Sequence, residues 1–332
     1  MKFTNRQWSC AVLLCLAAVA GANAQISSIN SALIIPRYFN DITNASLTVV
    51  SNYPSLISFD YENVYTTNPA FADRSVWQFS KDGGHSAFLF GNNDAFTITM
   101  DVALSGSPDA PRKEAGFVFN NPLNDGGEFI VDSDGHEFVA FGGFLPFYSF
   151  YPTNAPFKFN LGDTVTMGLT IFKENSGSNA IIYFAKTATA CMVSPPLLFD
   201  NLEQGVIAGT KIGGYIAVQN CCPSSPSNNG TAVFQNISIG PPDQDFDGVP
   251  DSVDACPNTP PCSVVDASGC SLDQLVPCSG PANSGVPWKN HGQYVSSLAH
   301  AVNDFVSQGL ISEAQGEAIM EQGAQSDCGS KK

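Results

Sequence analysis

The run Asp243-Gln244-Asp245-Phe246-Asp247-Gly248-Val249-Pro250-Asp251-Ser252-Val253-Asp254 places carboxylates at positions 1, 3, 5, 9 and 12, with a glycine at position 6. That spacing suits a hard divalent cation. Calcium takes six to eight oxygen ligands at about 2.3–2.6 Å, and a curling twelve-residue loop turns alternate acids toward one centre. Gly248 permits the sharp turn, the carbonyl of Val249 can add an oxygen, and Asp254 closes the far side. The expected ligands of a calcium ion are therefore Asp243, Asp245, Asp247, Val249, Asp251 and Asp254. Without a cation the five acids repel one another. A solvated acidic linker is the plainer reading, but it gives no reason for a glycine at the turn. Pro241 and Pro242 before the loop and Cys256-Pro257 after it leave no room for the flanking helices of a helix-loop-helix site.

Catalytic chemistry is harder to find. A glycosidase needs two carboxyl groups about 5–5.5 or 6.5–9.5 Å apart across a cleft, and no Glu-x-Asp-x-x-Glu strand is present. Asp132-Ser133-Asp134-Gly135-His136-Glu137 comes nearest, but it begins with the wrong acid and contains an Asp-Gly turn signal. Glu114 beside Arg112 and Lys113 reads as a rim charge. No Gly-x-Ser-x-Gly elbow occurs. The chain is expected to have no catalytic residues and not to be an enzyme.

The elements that must carry these residues are mostly strands. Ala95–Leu104 and Thr164–Ile171 alternate apolar and polar residues with period two. Gly116-Phe117-Val118-Phe119 and Ala180-Ile181-Ile182-Tyr183-Phe184 are shorter apolar runs that suit the core of a sandwich. Turn signals separate them, among them Lys81-Asp82-Gly83-Gly84, Asn124-Asp125-Gly126-Gly127 and Asn175-Ser176-Gly177. The expected fold is mainly β: a jelly-roll antiparallel β-sandwich over 25–240, then an irregular segment held by calcium and disulfides over 241–281, then a small α-hairpin over 282–332. In the hairpin, Tyr294, Leu298, Ala301, Val302, Phe305 and Val306 mark one helix face, Gly309 supplies a stop, and Ser312 to Gln315 has capping-box spacing.

Trp77-Gln78-Phe79-Ser80, Asp94-Ala95-Phe96-Thr97-Ile98 and Glu114-Ala115-Gly116-Phe117 resemble the concanavalin A-like lectin and glucanase sandwiches, a likeness covering about two-thirds of the mature chain. Members of that superfamily bind or cleave carbohydrates, and many do neither. Asp82-Gly83-Gly84 before Ala87-Phe88 resembles the Asp-Gly-aromatic segment of legume-type lectins, which implies sugar binding by Asp82, Gly83 and Gly84. Phe144, Phe147, Tyr148, Phe150 and Tyr151 could form a stacking surface, although a core role is the stronger reading. Asp243, Asp245, Asp247, Gly248, Asp251, Asp254, Cys256 and Pro257 together resemble a thrombospondin type 3 repeat, and Val265-Asp266-Ala267-Ser268-Gly269-Cys270 extends the match to its bacterial version. The resemblance implies calcium, adhesion or domain spacing, and a disulfide between Cys256 and Cys270. There is one full loop and no tandem array. A dockerin would need a second copy, and none follows.

Composition bounds the rest. Lys2 and Arg6, the apolar run Ala11–Ala20 and Ala22-Asn23-Ala24 have the layout of a secretory signal peptide over 1–24. No stretch is long enough to span a membrane as a helix. Cleavage would remove two basic and no acidic residues, taking the formal charge from −16 to −18. Such a surface argues against nucleic-acid partners and suits cations. Eight cysteines then remain, an even number that reads as disulfides in an exported chain. Order along the chain suggests Cys191 with Cys221 or Cys222, and Cys278 with Cys328, although eight cysteines allow 105 connectivities. The four histidines show no zinc spacing with them. The expectation is a secreted or cell-surface calcium-binding protein, structural or adhesive, with the calcium repeat as a rigid spacer. The alternative is a carbohydrate-binding, lectin-like protein that uses the sandwich and meets glycans at a cell surface. A glycoside hydrolase is a distant third.

Overall fold

The computed structural model describes residues 26–65, 70–121, 124–143, 145–150, 157–198, 207–220 and 227–330, with backbone only at 124–126. The chain divides into two compact units, Met1–Pro242 and Asp243–Lys332. The expected signal peptide, Cys221, Cys222, Phe144 and Tyr151 lie outside the described residues.

The first unit is a sandwich of two antiparallel sheets. Its strands are β1 (Ser31–Asn40), β2 (Ser46–Asn52), β3 (Leu56–Val64), β4 (Ala72–Ser80), β5 (Phe96–Ser107), β6 (Lys113–Asn121), β7 (Asn124–Asp132), β8 (Phe138–Phe141), β9 (Tyr148–Ser149), β10 (Thr164–Lys173), β11 (Asn179–Lys186), β12 (Cys191–Val193), β13 (Leu197–Leu198), β14 (Lys211–Gln219) and β15 (Asn228–Gly240). One sheet runs β1-β4-β14-β6-β7-β8-β9. The other runs β12-β11-β10-β5-β15-β3-β2, with β13 beside β11. Strands distant in sequence are thus neighbours in space.

Alternation fixes which side of each strand faces inward. Phe96, Ile98, Met100, Val102 and Leu104 of β5 are all fully buried, and Leu169 and Met167 of β10 sit opposite Ile98 and Met100. Between the sheets the packing is aromatic. Trp77 of β4 lies 6.0 Å from Phe234 of β15, and Phe129 of β7 lies 5.0 Å from Tyr183 of β11. Rings of this size bury large apolar areas and add edge-to-face contacts.

Alternation fails in β6. All nine of its residues are buried, including Lys113, Glu114, Asn120 and Asn121. The outer face of the seven-stranded sheet is therefore buried at its centre as well, and a second apolar group of Val76, Val118, Ile130, Val139, Tyr215 and Ala217 lies on it. Glu114 is not the rim charge its neighbours suggested; it sits at the middle of that sheet at 4% exposure.

The second unit has α1 (Leu272–Leu275), α2 (His291–Ser307) and α3 (Glu313–Gln325). Ser271 with Gln274 and Ser312 with Gln315 form capping boxes, while Asn290 caps α2. Tyr294, Leu298, Val302 and Phe305 turn inward from α2 to meet Val276, Trp288 and Ile311. Gly309 takes a φ of 71° and ends the first helix of the hairpin. Disulfides join Cys256 to Cys270 and Cys278 to Cys328. Cys191 and Cys262 are also disulfide-bonded. No helix among the described residues is long and apolar enough to cross a membrane.

Close strand approach in the seven-stranded sheet depends on Gly213, which pairs with Gln78 on one side and Val118 on the other. A Cβ there would lie 1.8 Å from the Trp77 carbonyl oxygen and 2.7 Å from the Gln78 Cα. Both are backbone atoms and cannot retreat without parting the strands. Gly213→Ala should cost roughly 1–3 kcal/mol of stability, read as a lower denaturation midpoint. An unchanged midpoint would contradict this strand spacing.

Candidate functional site

The acidic loop opens the second unit. Asp243, Asp245 and Asp247 bring carboxylate oxygens within 4.8 Å of one another, an arrangement that could hold a metal ion. The loop organises them through its own amides: Gly248 donates to Asp243 at 2.9 Å, Val249 to Asp247 at 2.7 Å and Thr259 to Asp245 at 2.7 Å. Gly248, at φ 95°, makes the turn. Burial pushes the Asp243 carboxyl up to about 7; the Gly248 amide opposes this, while Asp245 and Asp247 reinforce it. Asp247 is raised by burial and by the charges of Asp245 and Asp254, against the pull of the Val249 amide. One of its oxygens, Oδ2, is buried without a hydrogen-bond partner. A crowded carboxylate with an unsatisfied oxygen is the donor set that a hard cation fits.

Asp254 approaches from the other side. A Cβ on Gly269 would stand 2.1 Å from Asp254 Oδ1 and 3.1 Å from Asp247 Oδ2, so that glycine leaves the space in which the two acids converge. The Cys256–Cys270 bridge holds Gly269 to this position, and the Thr259 hydroxyl lies 3.0 Å from the Cys256 carbonyl oxygen and 2.9 Å from that of Gly269, its proton shared between them. Of the other expected ligands, Asp251 accepts two hydrogen bonds from Gln244, and Val249 contributes the amide already described.

Asp82, Gly83 and Gly84 form a self-contained turn. Asp82 accepts from Ser80 Oγ, His85 N, Ser86 N and Ser86 Oγ, and these bonds hold its carboxyl well below the usual range. Gly83 N donates to Ser31 and Gly84 N to Ser80. The polar groups that would meet a sugar are engaged by the turn itself and by Ser31 of β1. Of the aromatic cluster, Phe150 is core and Phe147 is 70% exposed.

A different constellation sits on the outer face of the seven-stranded sheet. Register places Val76 of β4, Tyr215 of β14, Gly116 of β6 and Ile130 of β7 in one row across it. The row on one side holds Arg74, Ala217, Glu114 and Asp132, and the row on the other holds Gln78, Gly213, Val118 and Glu128. Tyr215 lies between two acids and donates to Glu114 Oε2 at 2.8 Å. Burial, then the charges of Glu114 and Glu128, raise its hydroxyl well above the usual phenol range. Arg74 reaches across to Glu128 at 3.2 Å, with its guanidinium carbon 5.8 Å from the Tyr215 ring centre and 5.9 Å from that of Phe71. Such stacking is worth about 0.5–2 kcal/mol per ring. Arg112 binds Glu114 at 2.5 Å, Asp132 at 3.3 Å and Asp134 at 3.0 Å. Gln78 donates to Asn120 at 2.9 Å.

Part of this constellation, Arg74, Val76, Val118, Asn120, Glu128 and Tyr215, lines a cavity of about 350 Å³ together with Tyr38. Sequence spacing carries no trace of it, because Arg74, Glu128 and Tyr215 come from three strands that only the sheet order makes adjacent. One signal was present: the pairs Asp73-Arg74 and Lys113-Glu114 and the single Glu128 stand beside apolar strand runs.

No protein-family model matches this sequence, and no curated protein matches it. Among solved structures the sandwich is similar to the PL-14 alginate lyase from Aplysia kurodai, at 10% identity over 64% of this chain and 98% of that one, with a TM-score of 0.36. It is similar to the alginate lyase from Corynebacterium sp. at 11% identity, over 63% and 93%, with a TM-score of 0.39. It is also similar to alginate lyase A1-II', a member of polysaccharide lyase family 7, at 10% identity over 66% and 97%, with a TM-score of 0.40. These likenesses are too distant to bring a substrate or a reaction to this chain.

Burial pushes Asp132 from an ordinary 3.8 up to about 6, with Arg112 pulling it back. The folded chain thus favours the protonated acid. That contribution to stability is complete below about 3.9 and is lost as pH rises through about 6. Asp132→Asn should therefore gain in melting temperature relative to wild type as pH goes from about 4 to about 7. If the difference stays flat across that range, Asp132 does not titrate there.

Proposed function

We propose that this chain is a calcium-binding, glycan-binding protein, with the sugar site in the cavity on the seven-stranded sheet and the calcium site in the acidic loop. The observation that carries the glycan reading is Arg74, held between two aromatic rings and hydrogen-bonded to Glu128 in the cavity wall. Sugar sites join ring faces to a few polar groups whose directions are fixed, in clefts of about 300–1,000 Å³. Tyr38, 47% exposed, offers a face at the mouth of the cavity, while Asn120 and Glu128 offer a fixed amide and a fixed acceptor.

Binding rather than cleavage is the reading the acids support. Glu114 accepts from Arg112 on one oxygen and from Tyr215 on the other, and Glu128 is tied to Arg74. Both acids are already engaged by neighbouring side chains, which supports binding over cleavage. The second role, a rigid spacer in a secreted or surface protein, draws support from the acidic loop, whose segment has few apolar residues and is cross-linked by Cys256–Cys270. A bound ion would supply the folding energy such a segment lacks.

Affinity electrophoresis and calorimetry against a polysaccharide panel test the glycan reading. Tyr38→Ala should weaken binding by roughly three- to tenfold, the scale of one lost aromatic contact. Absence of binding to every glycan in the panel would remove this function.

Calcium is tested separately. Chelation should expose 243–276 to protease while the sandwich stays intact, and Asp247→Asn should weaken calcium by roughly tenfold or more, since affinity follows the number of charged ligands. No heat of binding up to millimolar calcium would dismiss the site.

A further inference from the structure

The cavity beside Arg74, a furrow on the outer face of the seven-stranded sheet, has Arg74 and Glu128 as its charged lining residues and is not electropositive. Arg74 is paired with Glu128, and Arg112 with Glu114, Asp132 and Asp134. Glu137 adds a further negative charge beside Asp132. Lys113 is fully buried, with its ammonium on the carbonyls of Pro108 and Pro111. Among the described residues this leaves Lys211, opposite Asn120, as the exposed cation on this face without an ion pair. The face therefore has three cations against five carboxylates, in a chain of formal charge −16.

A polyuronate presents a carboxylate on every ring. Arg74 meets Glu128 through Nη1 at 3.2 Å, so its charge is already balanced, and a uronate carboxylate brought to it would also face the carboxylate of Glu128, which is 6% exposed. Like charges set side by side with only one cation between them are costly, and site selectivity is often built from such penalties against the wrong ligand. A glycan bearing only hydroxyls brings no such charge. It can donate to the remaining lone pairs of Glu128 and lie against Tyr38 with the ion pair in place.

We propose that Glu128 is the specificity-determining residue of this furrow: by holding Arg74 in an ion pair between Phe71 and Tyr215, it admits uncharged glycans and rejects polyuronates. The inference rests on the glycan-binding reading above.

Calorimetry on the full chain tests it with two sets of probes: uncharged polymers (β-glucan, mannan, xylan) and polyuronates (alginate, polygalacturonate). Wild type should bind at least one uncharged polymer and bind both polyuronates at least about tenfold more weakly. E128Q releases the guanidinium and should gain about tenfold or more for a polyuronate, the gain fading as salt is raised. In E128Q/R74Q the gain should vanish, which separates a freed arginine from a general change in surface charge. If wild type binds polyuronates as well as uncharged polymers, or E128Q folds and gains nothing, the specificity role is overturned and the glycan site stands. If wild type binds neither class, the glycan reading itself falls and takes this inference with it. Should E128Q fail to fold, the wild-type comparison decides alone.

Discussion

Buried carboxylate is the constraint that shapes both units of this protein. In the sandwich, Glu114, Glu128 and Asp132 lie on the outer face of a sheet at 0–6% exposure, and an ionised acid in such a place is tolerated only when a cation and hydrogen bonds accompany it. Arg112 and Arg74 supply the cations and Tyr215 a hydrogen bond. Because these groups come from β4, β6, β7 and β14, the network reads out the sheet order. Its geometry exists only if those four strands are neighbours in this register. The two glycines of the outer face, Gly116 and Gly213, permit the strand approach on which that register depends.

What could be read along the chain was whatever is local. The alternation of β5 and β10, the capping box at Ser312, the stop at Gly309 and the acidic loop all depend on residues within a dozen positions of one another. The furrow depends on residues more than 140 positions apart, from Arg74 to Tyr215, and no spacing rule reaches that far. Glu114 shows the same limit. Its neighbours Arg112 and Lys113 suggested an exposed charged corner, but the sheet sets a tyrosine from β14 over it and turns the lysine into the interior. Asp82 shows a subtler limit, since an Asp-Gly-Gly segment is read the same way whether its acceptors face a ligand or its own turn. Here four donors from Ser80, His85 and Ser86 occupy the carboxylate.

The two halves hold together by different means. The sandwich has a continuous aromatic core and could fold by burial alone. Ahead of the helical hairpin, residues 243–271 contribute little to the second core, whose members begin at Leu272. Their order comes from short-range hydrogen bonds to aspartates and from disulfides at Cys256, Cys262 and Cys270, which constrain the chain but leave the charges of those aspartates unopposed.

Those charges show why the acidic loop asks for something the sandwich does not. Between Lys211 and Lys289 the sequence has no lysine, arginine or histidine. The sandwich neutralises its buried acids with arginines carried on the same sheet, whereas Asp243, Asp245, Asp247 and Asp254 converge where the chain offers no cation of its own. The loop amides can stabilise one oxygen each, and Asp243 and Asp247 still favour protonation more than an isolated carboxyl would. A divalent ion would resolve this conflict without a proton, because it would add two positive charges at the point of convergence and take up the unsatisfied oxygen of Asp247. The lack of basic residues around the loop therefore follows from the same logic as the arginines of the furrow. One site carries its counter-ion in the sequence, and the other leaves that place to the solvent.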